Sequence, residues 1–362
     1  MSREGMETAW VMEHSAPMNA DQQKALNLRA GEIVEVRSPR EILSTLDESG
    51  TVEALPFMPE MLGYCGQRLR VFTRADRTCD TIQCSGMRGM NNAVTLEGVR
   101  CDGQYHGGCQ AGCLIIWKEA WLKRASQDRL PEQLSAPSDF RGGKEGECGL
   151  DSVKRTTLDR LITWTRLQGG SEDAGSEAFS CQTTELWRAT YELKDPEWRQ
   201  FLRDLRSGTV SVSQVARVLL IRLFNWVQFR RGGLRYPCLG VGSGSAGKLT
   251  KTPKMALNLV PGELVQVKTT QEIEPTLDPK NKNRGLSFDV EMVKFCGGKY
   301  RVLRRVERII DERTGKMMRL PNECIVLDGV VCPGEFHSLC SRGGYPFWRE
   351  IWLRRADGGE TV

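Results

Sequence analysis

The sequence has few histidines and no long apolar stretch. Three of its 362 residues are histidine, and no run of about eighteen apolar residues, the minimum for a transmembrane helix, occurs. The first thirty residues have no apolar segment of the signal-peptide kind. We therefore expect a soluble, cytoplasmic protein with no membrane partner.

Common nucleotide-binding and hydrolase signatures are also missing. There is no Walker A loop, no Rossmann glycine pattern after a strand, no nucleophile elbow and no HExxH helix. The net charge of +5, from 51 basic and 46 acidic residues, is too small to predict nucleic-acid binding by itself. These absences leave the substrate unknown.

Cysteine is abundant, with thirteen residues. An odd number of cysteines without a secretion signal favours reduced thiols and metal ligation over a disulfide framework. Two of the three histidines lie in a Cys-x4-His-x2-Cys pattern, which suits zinc or another thiophilic metal. The pattern occurs twice, as Cys101, His106 and Cys109, and again as Cys332, His337 and Cys340.

The chain contains an internal duplication. Residues 31–125 align with residues 262–356 without a gap, at a constant offset of 231, and 37 of the 95 positions are identical. Self-similarity at a fixed offset indicates two copies of one structural unit. The two repeats are therefore expected to be two domains of one fold.

Within each repeat, short alternating segments predict β-strands. In the first repeat they are Gly31–Val36, Arg68–Phe72 and Ala93–Glu97, and Leu114–Trp117 is continuously apolar. Period-two alternation is typical of half-buried strands, and several short strands in about a hundred residues favour a small barrel. The predicted fold class is β-rich α+β, with two homologous SH3-like small β-barrels flanking a helical middle domain.

The remaining segments complete the predicted domain organisation. Helical spacing of apolar residues predicts the middle domain, and its strongest helix, Val215–Phe229, is apolar nearly all round, which predicts a position at the centre of a small bundle. The predicted units are a flexible arm (1–30), the first barrel (31–125), a linker (126–152), the helical domain (153–235), a Gly/Ser linker (236–261), the second barrel (262–356) and a tail (357–362).

Two further cysteines could complete the metal sites. Cys65 and Cys296 occupy equivalent positions and are candidate fourth ligands, which would give a closed, structural type of site. Alternatively these two cysteines pack in the cores, which would leave three ligands and an open position of the catalytic type. A third interpretation is that all the cysteines are simply buried, with each histidine bonded to a backbone carbonyl.

Some cysteines belong to the first half alone. Cys113 aligns with a glycine of the second repeat. Cys148 lies just before the helical segment, and Cys181 lies within it. With the nearby loop they could form a second thiolate site for an iron–sulfur cluster or another thiophilic metal. The alternative is that they are inert thiols.

Two other sets of residues are retained in both repeats. The tryptophan pairs could stack on nucleic-acid bases, although a role in the barrel cores is favoured. Three carboxylate pairs are interpreted as turn caps or arginine partners rather than as acid–base catalysts. The tryptophans are Trp117, Trp121, Trp348 and Trp352, and the carboxylate pairs are Asp47/Asp278, Glu60/Glu291 and Glu119/Glu350.

Six short segments carry a resemblance to known proteins: Gly31–Val36, Thr45-Leu46-Asp47, Cys65-Gly66, His106-Gly-Gly-Cys109-Gln-Ala-Gly-Cys113, Ser180-Cys181-Gln182 and Arg342-Gly-Gly-Tyr-Pro346. The repeat pattern resembles SH3-like barrel modules, and the chain after residue 30 resembles a bacterial family without an assigned activity. That family combines two such barrels with Cys/His loops of metal-binding type and a helical segment. The resemblance implies the fold and the loops, and it implies no reaction.

Three functions follow from the sequence as hypotheses. The first is a binding or scaffolding protein, stabilised by metal (zinc in the first place), whose barrels bind a partner protein. The second is a metalloenzyme or accessory redox factor in a bacterial biosynthetic pathway that uses the thiolate-rich first repeat. The third is a nucleic-acid-binding protein, in which a basic stripe across the two barrels follows the phosphate backbone.

Overall fold

The computed structural model describes residues 25–83, 85–125, 152–166, 178–232 and 251–356, together with residues 236 and 249. Cys148, most of the predicted arm, nearly all of the first linker and the tail lie outside these residues. The described chain is rich in antiparallel strands and has a few helices. This agrees with the β-rich α+β prediction, whereas the finer SH3-like assignment stays a prediction.

The first repeat forms a curled five-stranded sheet in the order β8-β7-β4-β1-β9. Every named pairing in it is antiparallel. The strands predicted from alternation are present, most of them slightly longer or shorter than predicted. The bounds are β1 Ile33–Val36, β2 Thr51–Val52, β3 Leu55–Pro56, β4 Arg68–Arg74, β5 Arg77–Cys79, β6 Met87–Gly89, β7 Ala93–Arg100, β8 Leu114–Lys118, β9 Leu122–Arg124 and β10 Tyr191–Glu192.

The second repeat forms a four-stranded sheet in the order β15-β14-β11-β16. Its pairings repeat those of the first sheet at the offset of 231, since Ile33 pairs with Arg70 and Leu264 pairs with Arg301. The two sheets therefore share register as well as strand order around β1 and β11. The bounds are β11 Leu264–Val267, β12 Lys282–Asn283, β13 Leu286–Ser287, β14 Lys299–Ile310, β15 Met317–Leu327 and β16 Leu353–Arg355.

The four tryptophans lie in the cores of the two sheets. Each is completely buried, and Phe57 and Phe288 contact Trp121 and Trp352 edge-on, with ring centroids 5.2 and 5.4 Å apart. The favoured core interpretation is confirmed. The two tryptophans of a pair do not share one strand, because Trp121 and Trp352 lie in the 3-10 helices Glu119–Trp121 and Glu350–Trp352.

The helices divide between two cores in the described residues. Leu161 joins the core of the first sheet, whereas Phe201 clusters with Val215 and Val218 and with Leu339 of the second repeat. No helix in the described part of the chain is long and apolar enough to cross a membrane. The bounds are α1 Pro39–Leu43, α2 Ser152–Thr165, α3 Glu197–Arg206, α4 Val212–Arg231 and α5 Thr270–Ile273.

Helix α4 has a typical capping residue at each end. Ser211 forms a capping box with Gln214, and Gly232 ends the helix with a left-handed φ of 67°, a conformation that glycine adopts at no steric cost. The predicted central position is wrong, because only Val215 and Val218 are buried. Apolar periodicity alone could not show which faces of the helix have a packing partner.

The segment before the first strand is anchored rather than free from residue 25 onward. Leu28 is completely buried, and the Glu119 carboxylate accepts hydrogen bonds from the backbone N–H groups of Asn27 and Leu28. In the second repeat Glu350 accepts in the same way from residues 257–259. The structural interpretation of the Glu119/Glu350 pair is confirmed, whereas residues 25–30 do not fit the predicted flexible arm.

The two repeats pack against each other through reciprocal contacts. The Cys109 sulfur accepts a hydrogen bond from the backbone N–H of Ile310, at 3.4 Å, and the equivalent Cys340 sulfur accepts one from Cys79, at 3.1 Å. Such an exchange of equivalent positions is the signature of a two-fold interface. The loop that carries Cys109 or Cys340 in one repeat therefore contacts the strand that ends at Ile310 or Cys79 in the other repeat.

Candidate metal centre

The first candidate site combines a glutamate, a cysteine and a histidine. Glu60 lies in the 3-10 helix Pro59–Tyr64, Cys101 follows β7, and His106 lies in the loop beyond it. Their potential ligand atoms all lie within 4.8 Å of one another. His106 Nδ1 is 3.7 Å from a Glu60 oxygen and 4.0 Å from the Cys101 sulfur. We call these three residues the first trio.

The second repeat holds the same three residue types at equivalent positions. Glu291 lies in the 3-10 helix Val290–Phe295, and Cys332 and His337 lie in the second Cys/His loop. Their ligand atoms also lie within 4.8 Å of one another, and His337 Nδ1 is 3.2 Å from Glu291 Oε1. We call these residues the second trio.

A tight glycine turn shapes each Cys/His loop. Gly103 has a φ of 75°, and a Cβ added there would lie 2.0 Å from the Cys109 carbonyl oxygen. Gly334 has a φ of 68°, and its added Cβ would lie 2.6 Å from the Cys340 nitrogen. A side chain at either position would therefore prevent the loop from folding back over the histidine.

Several polar atoms of the first trio are buried without a hydrogen-bond partner. His106 is 1% exposed, and both Glu60 oxygens and His106 Nε2 have no hydrogen-bond partner in the described structure. Burial raises the pKa of Glu60 to about 7, raises the pKa of the Cys101 thiol, and lowers the pKa of His106 to about 4. A bound cation would provide the missing partner for these groups.

The second trio is more exposed and satisfies more of its polar groups. The His337 side chain is 42% exposed, and Glu291 Oε1 accepts a hydrogen bond from the Phe336 N–H. Hydrogen bonds with Cys332 and Glu291 raise the pKa of His337 to about 10. The protonated imidazole of His337 can therefore form an ion pair with Glu291. The neutral imidazole of His106 cannot form such a pair with Glu60.

The two predicted fourth ligands lie outside the trios. Cys65 packs against the core of the first sheet and Cys296 against that of the second. Each follows the last residue of the 3-10 helix that carries the glutamate of its trio. The structure brings neither sulfur into the groups of mutually close ligand atoms among the described residues.

Cys109 and Cys340 are placed at the contact between the repeats. Their sulfurs accept the backbone hydrogen bonds from Ile310 and Cys79 described above. Neither belongs to a trio in the described chain, although both line the same cavity as the trios. Of the predicted ligands, the structure therefore brings together Cys101 with His106 and Cys332 with His337.

A cavity of about 610 Å³ lies between the repeats. Both trios line it, and its remaining wall is mainly apolar. Its size is within the range of small-molecule sites in proteins. The cysteines that line the cavity besides those of the trios are Cys79, Cys109, Cys113, Cys181 and Cys340.

Two of the three residues of the predicted second thiolate site line this cavity. Cys113 accepts a hydrogen bond from the Thr183 hydroxyl at 3.5 Å, and burial raises the pKa of Cys181 to about 12. Cys148, the third predicted ligand, lies outside the described residues. Cys113 and Cys181 therefore line the cavity, but among the described residues they belong to no group of close metal-ligating side chains.

Sequence reasoning missed the glutamates of the trios. Glu60 and Glu291 were expected to cap turns or pair with arginines, as Asp47 and Asp278 do by accepting backbone N–H groups of their own turns. Their retention in both repeats was the only available signal. It could not separate them from the structural pairs, because their proximity to the histidines depends on the fold.

Each trio offers the sulfur, nitrogen and oxygen ligands that zinc accepts. Three protein ligands leave one position of a tetrahedral ion for water or a ligand, and that is the form of a catalytic or ligand-binding zinc site rather than of a closed structural one. In both repeats the trio faces the shared cavity.

Comparisons of the chain with protein-family models, with curated proteins and with solved structures returned no match. The resemblance to a duplicated SH3-like family therefore stays a prediction. The function has to be argued from the site itself.

Proposed function

We propose that the protein binds two zinc-type ions, one on each trio, in a pair of SH3-like barrels, and that the ions present an open coordination position to the cavity between the repeats. The observation that carries this proposal is the Glu60 carboxylate, whose two oxygens are buried without a hydrogen-bond partner beside a thiol and an imidazole. An ionised carboxylate in that state is costly unless a proton neutralises it or a cation compensates it.

The ligand chemistry favours a thiophilic metal. Calcium and magnesium prefer oxygen ligands, whereas a thiolate, an imidazole and one carboxylate together suit zinc and neighbouring transition metals. Ligation requires the neutral imidazole, and burial already holds His106 in that form at neutral pH. The Cys101 thiol and Glu60 would each lose a proton when the ion binds.

A binding function fits the cavity best. An apolar space of about 610 Å³ with a metal position at its wall accommodates a small molecule, or a side chain of a partner protein, that carries one donor atom. The proposed role is the capture of such a ligand, with the metals also holding the two loops in place.

A metalloenzyme is the second candidate, and one specific observation favours it. Three protein ligands per trio leave room for a metal-bound water, the arrangement that lowers the pKa of water in zinc hydrolases. The nucleic-acid alternative has less support, because Trp117, Trp121, Trp348 and Trp352 are buried and cannot stack on bases.

Elemental analysis of the purified protein, together with an ultraviolet–visible spectrum, tests the proposal. We expect about two zinc ions per chain, one for each trio, and no visible absorption. Replacing zinc with cobalt(II) should give a sulfur-to-metal charge-transfer band that loses intensity in Cys101→Ser and in Cys332→Ser.

Two matched variants identify the ligands. Glu60→Gln should remove about one ion, in keeping with one metal per site, whereas Cys65→Ser should leave the metal content unchanged. The opposite pattern would favour the ligand set in which Cys65 joins Cys101, His106 and Cys109, and would reject the trio. A brown protein with a visible absorption band would reject zinc in favour of an iron–sulfur cluster.

A further inference from the structure

One contact between the repeats brings two cysteines together. The backbone N–H of Cys79, at the end of β5, donates to the Cys340 sulfur at 3.1 Å. Both residues line the cavity. Neither belongs to a trio.

Neighbouring contacts hold this pair in register. The Ser341 hydroxyl donates to the Arg77 carbonyl at 2.8 Å, and Arg342 donates to the Thr81 hydroxyl at 2.6 Å. Residues 340–342 are thus joined to residues 77–81 on both sides of the sulfur contact. A disulfide requires two cysteines that lie close together, and the 3.1 Å contact between the Cys79 nitrogen and the Cys340 sulfur provides that closeness.

The other half of the two-fold interface provides an internal comparison. There Cys109 occupies the position of Cys340, and its sulfur accepts the equivalent backbone hydrogen bond from Ile310. Isoleucine replaces the second thiol at that position. The same geometry therefore occurs once with a dithiol and once with a single thiol.

We propose that Cys79 and Cys340 form a redox-active dithiol, which closes to a disulfide by exchange with a low-molecular-weight disulfide that enters the cavity. The closed form would link the two repeats covalently at the cavity wall. This inference is independent of the proposed metal sites.

The chemistry is two successive thiol–disulfide exchanges. In the first, the sulfur of Cys340 attacks one sulfur of the small disulfide RSSR, and the released RS⁻ takes up the Cys340 proton. In the second, the sulfur of Cys79 attacks the mixed disulfide at Cys340 and displaces another RS⁻, which takes up the Cys79 proton. Two cysteine sulfurs are oxidised, and RSSR is reduced to two RSH.

The experiment treats the full chain with oxidised glutathione, alkylates the remaining thiols in acid and maps disulfide-linked peptides by mass spectrometry. We expect one dominant cross-link between Cys79 and Cys340, the loss of two titratable thiols, and full reversal by reduced glutathione. A mixture without this cross-link, or a dominant link from Cys340 to Cys332, would overturn the proposal.

The symmetry supplies matched variants. Cys79→Ile installs the residue found at position 310 and should abolish the cross-link, whereas Ile310→Cys should add a second link to Cys109. Oxidation that is equally efficient in Cys79→Ile would contradict the assignment.

Metal analysis separates this inference from the proposed function. Zinc content unchanged in Cys79→Ile supports a dithiol distinct from the metal sites. Loss of zinc in that variant would instead make the pair part of a metal site and reject the inference. A wild-type protein that binds no zinc but forms the cross-link would contradict the metal proposal and support the dithiol inference.

Discussion

The first and second trios contain the same residue types at equivalent positions, yet they differ in how they exist without a metal. In the first, Glu60 is buried with no hydrogen-bond partner for either oxygen. In the second, Glu291 accepts a backbone hydrogen bond and lies against a half-exposed histidine. A duplicated set of side chains can therefore keep its composition and its place in the fold while the hydrogen bonding of its carboxylate diverges.

The largest expected effect concerns the glycine turns under the two loops. Gly103→Ala combines a left-handed φ with an impossible 2.0 Å approach to the Cys109 carbonyl, so we expect destabilisation by about 3–5 kcal/mol and loss of the first metal. Gly334→Ala, with a 2.6 Å approach, should cost less. Denaturant unfolding with metal analysis measures both, and equal costs would contradict the difference in fit.

The pH dependence of the metal-free protein should follow from Glu60. Because burial raises the pKa of Glu60 to about 7 from an ordinary 4.5, its protonated form is favoured by folding. This contribution is complete below pH about 4.5 and is lost as the pH rises through about 7, with a difference of about 3 kcal/mol at most.

The measurement compares wild-type protein with Glu60→Gln in a chelator between pH 4.5 and pH 8. The wild type should lose stability relative to the variant across this window. Glu291→Gln provides the matched change in the other repeat. A constant difference between wild type and Glu60→Gln would show that the carboxylate is solvated.

Removal of one carboxylate ligand should weaken zinc binding unequally. We expect Glu60→Gln to lower the affinity of the first site by about 100-fold or more, beyond the range typical of outer-shell changes. Glu291→Gln should have the smaller effect, because the second trio is more exposed and Glu291 has other partners. Competition with a chromophoric chelator gives both affinities. A larger loss of affinity in Glu291→Gln than in Glu60→Gln would contradict the proposed difference between the two trios.

The smallest effect concerns loop strain in the second repeat. Ser338 has a φ of 53°, where the first repeat has Gly107, and a non-glycine residue in this region costs about 1 kcal/mol. Ser338→Gly should therefore be neutral or stabilising by up to about 1 kcal/mol, reduced by loss of the 3.0 Å contact with Arg222. Thermal unfolding is the measurement, and marked destabilisation would contradict the strain.

Much of the fold could be predicted because it rests on local patterns. Alternation located β1, β4 and β7, a continuous apolar run located β8, and apolar packing explained the tryptophans better than base stacking did. The caps of α4 were equally local. Its exposed apolar face was not predictable, since periodicity describes the helix and not its neighbours.

The candidate site was only half predictable. Cys101 and His106 lie five residues apart, so their proximity follows from one loop, whereas Glu60 comes from a separate 3-10 helix some forty positions earlier. Cys65 seemed an equally good partner by sequence. Its placement against the core depends on where the 3-10 helix ends.

The two-fold interface has a further consequence at its centre. The Thr81 hydroxyl contacts the Glu312 carboxylate, and these two residues are the same position in the two repeats. In a symmetric dimer of separate chains, that position would meet an identical copy of itself, and two glutamates there would repel. Fusion into one chain allows the two halves to carry different residues, so that a hydroxyl, a carboxylate and Arg342 can share one contact on the axis.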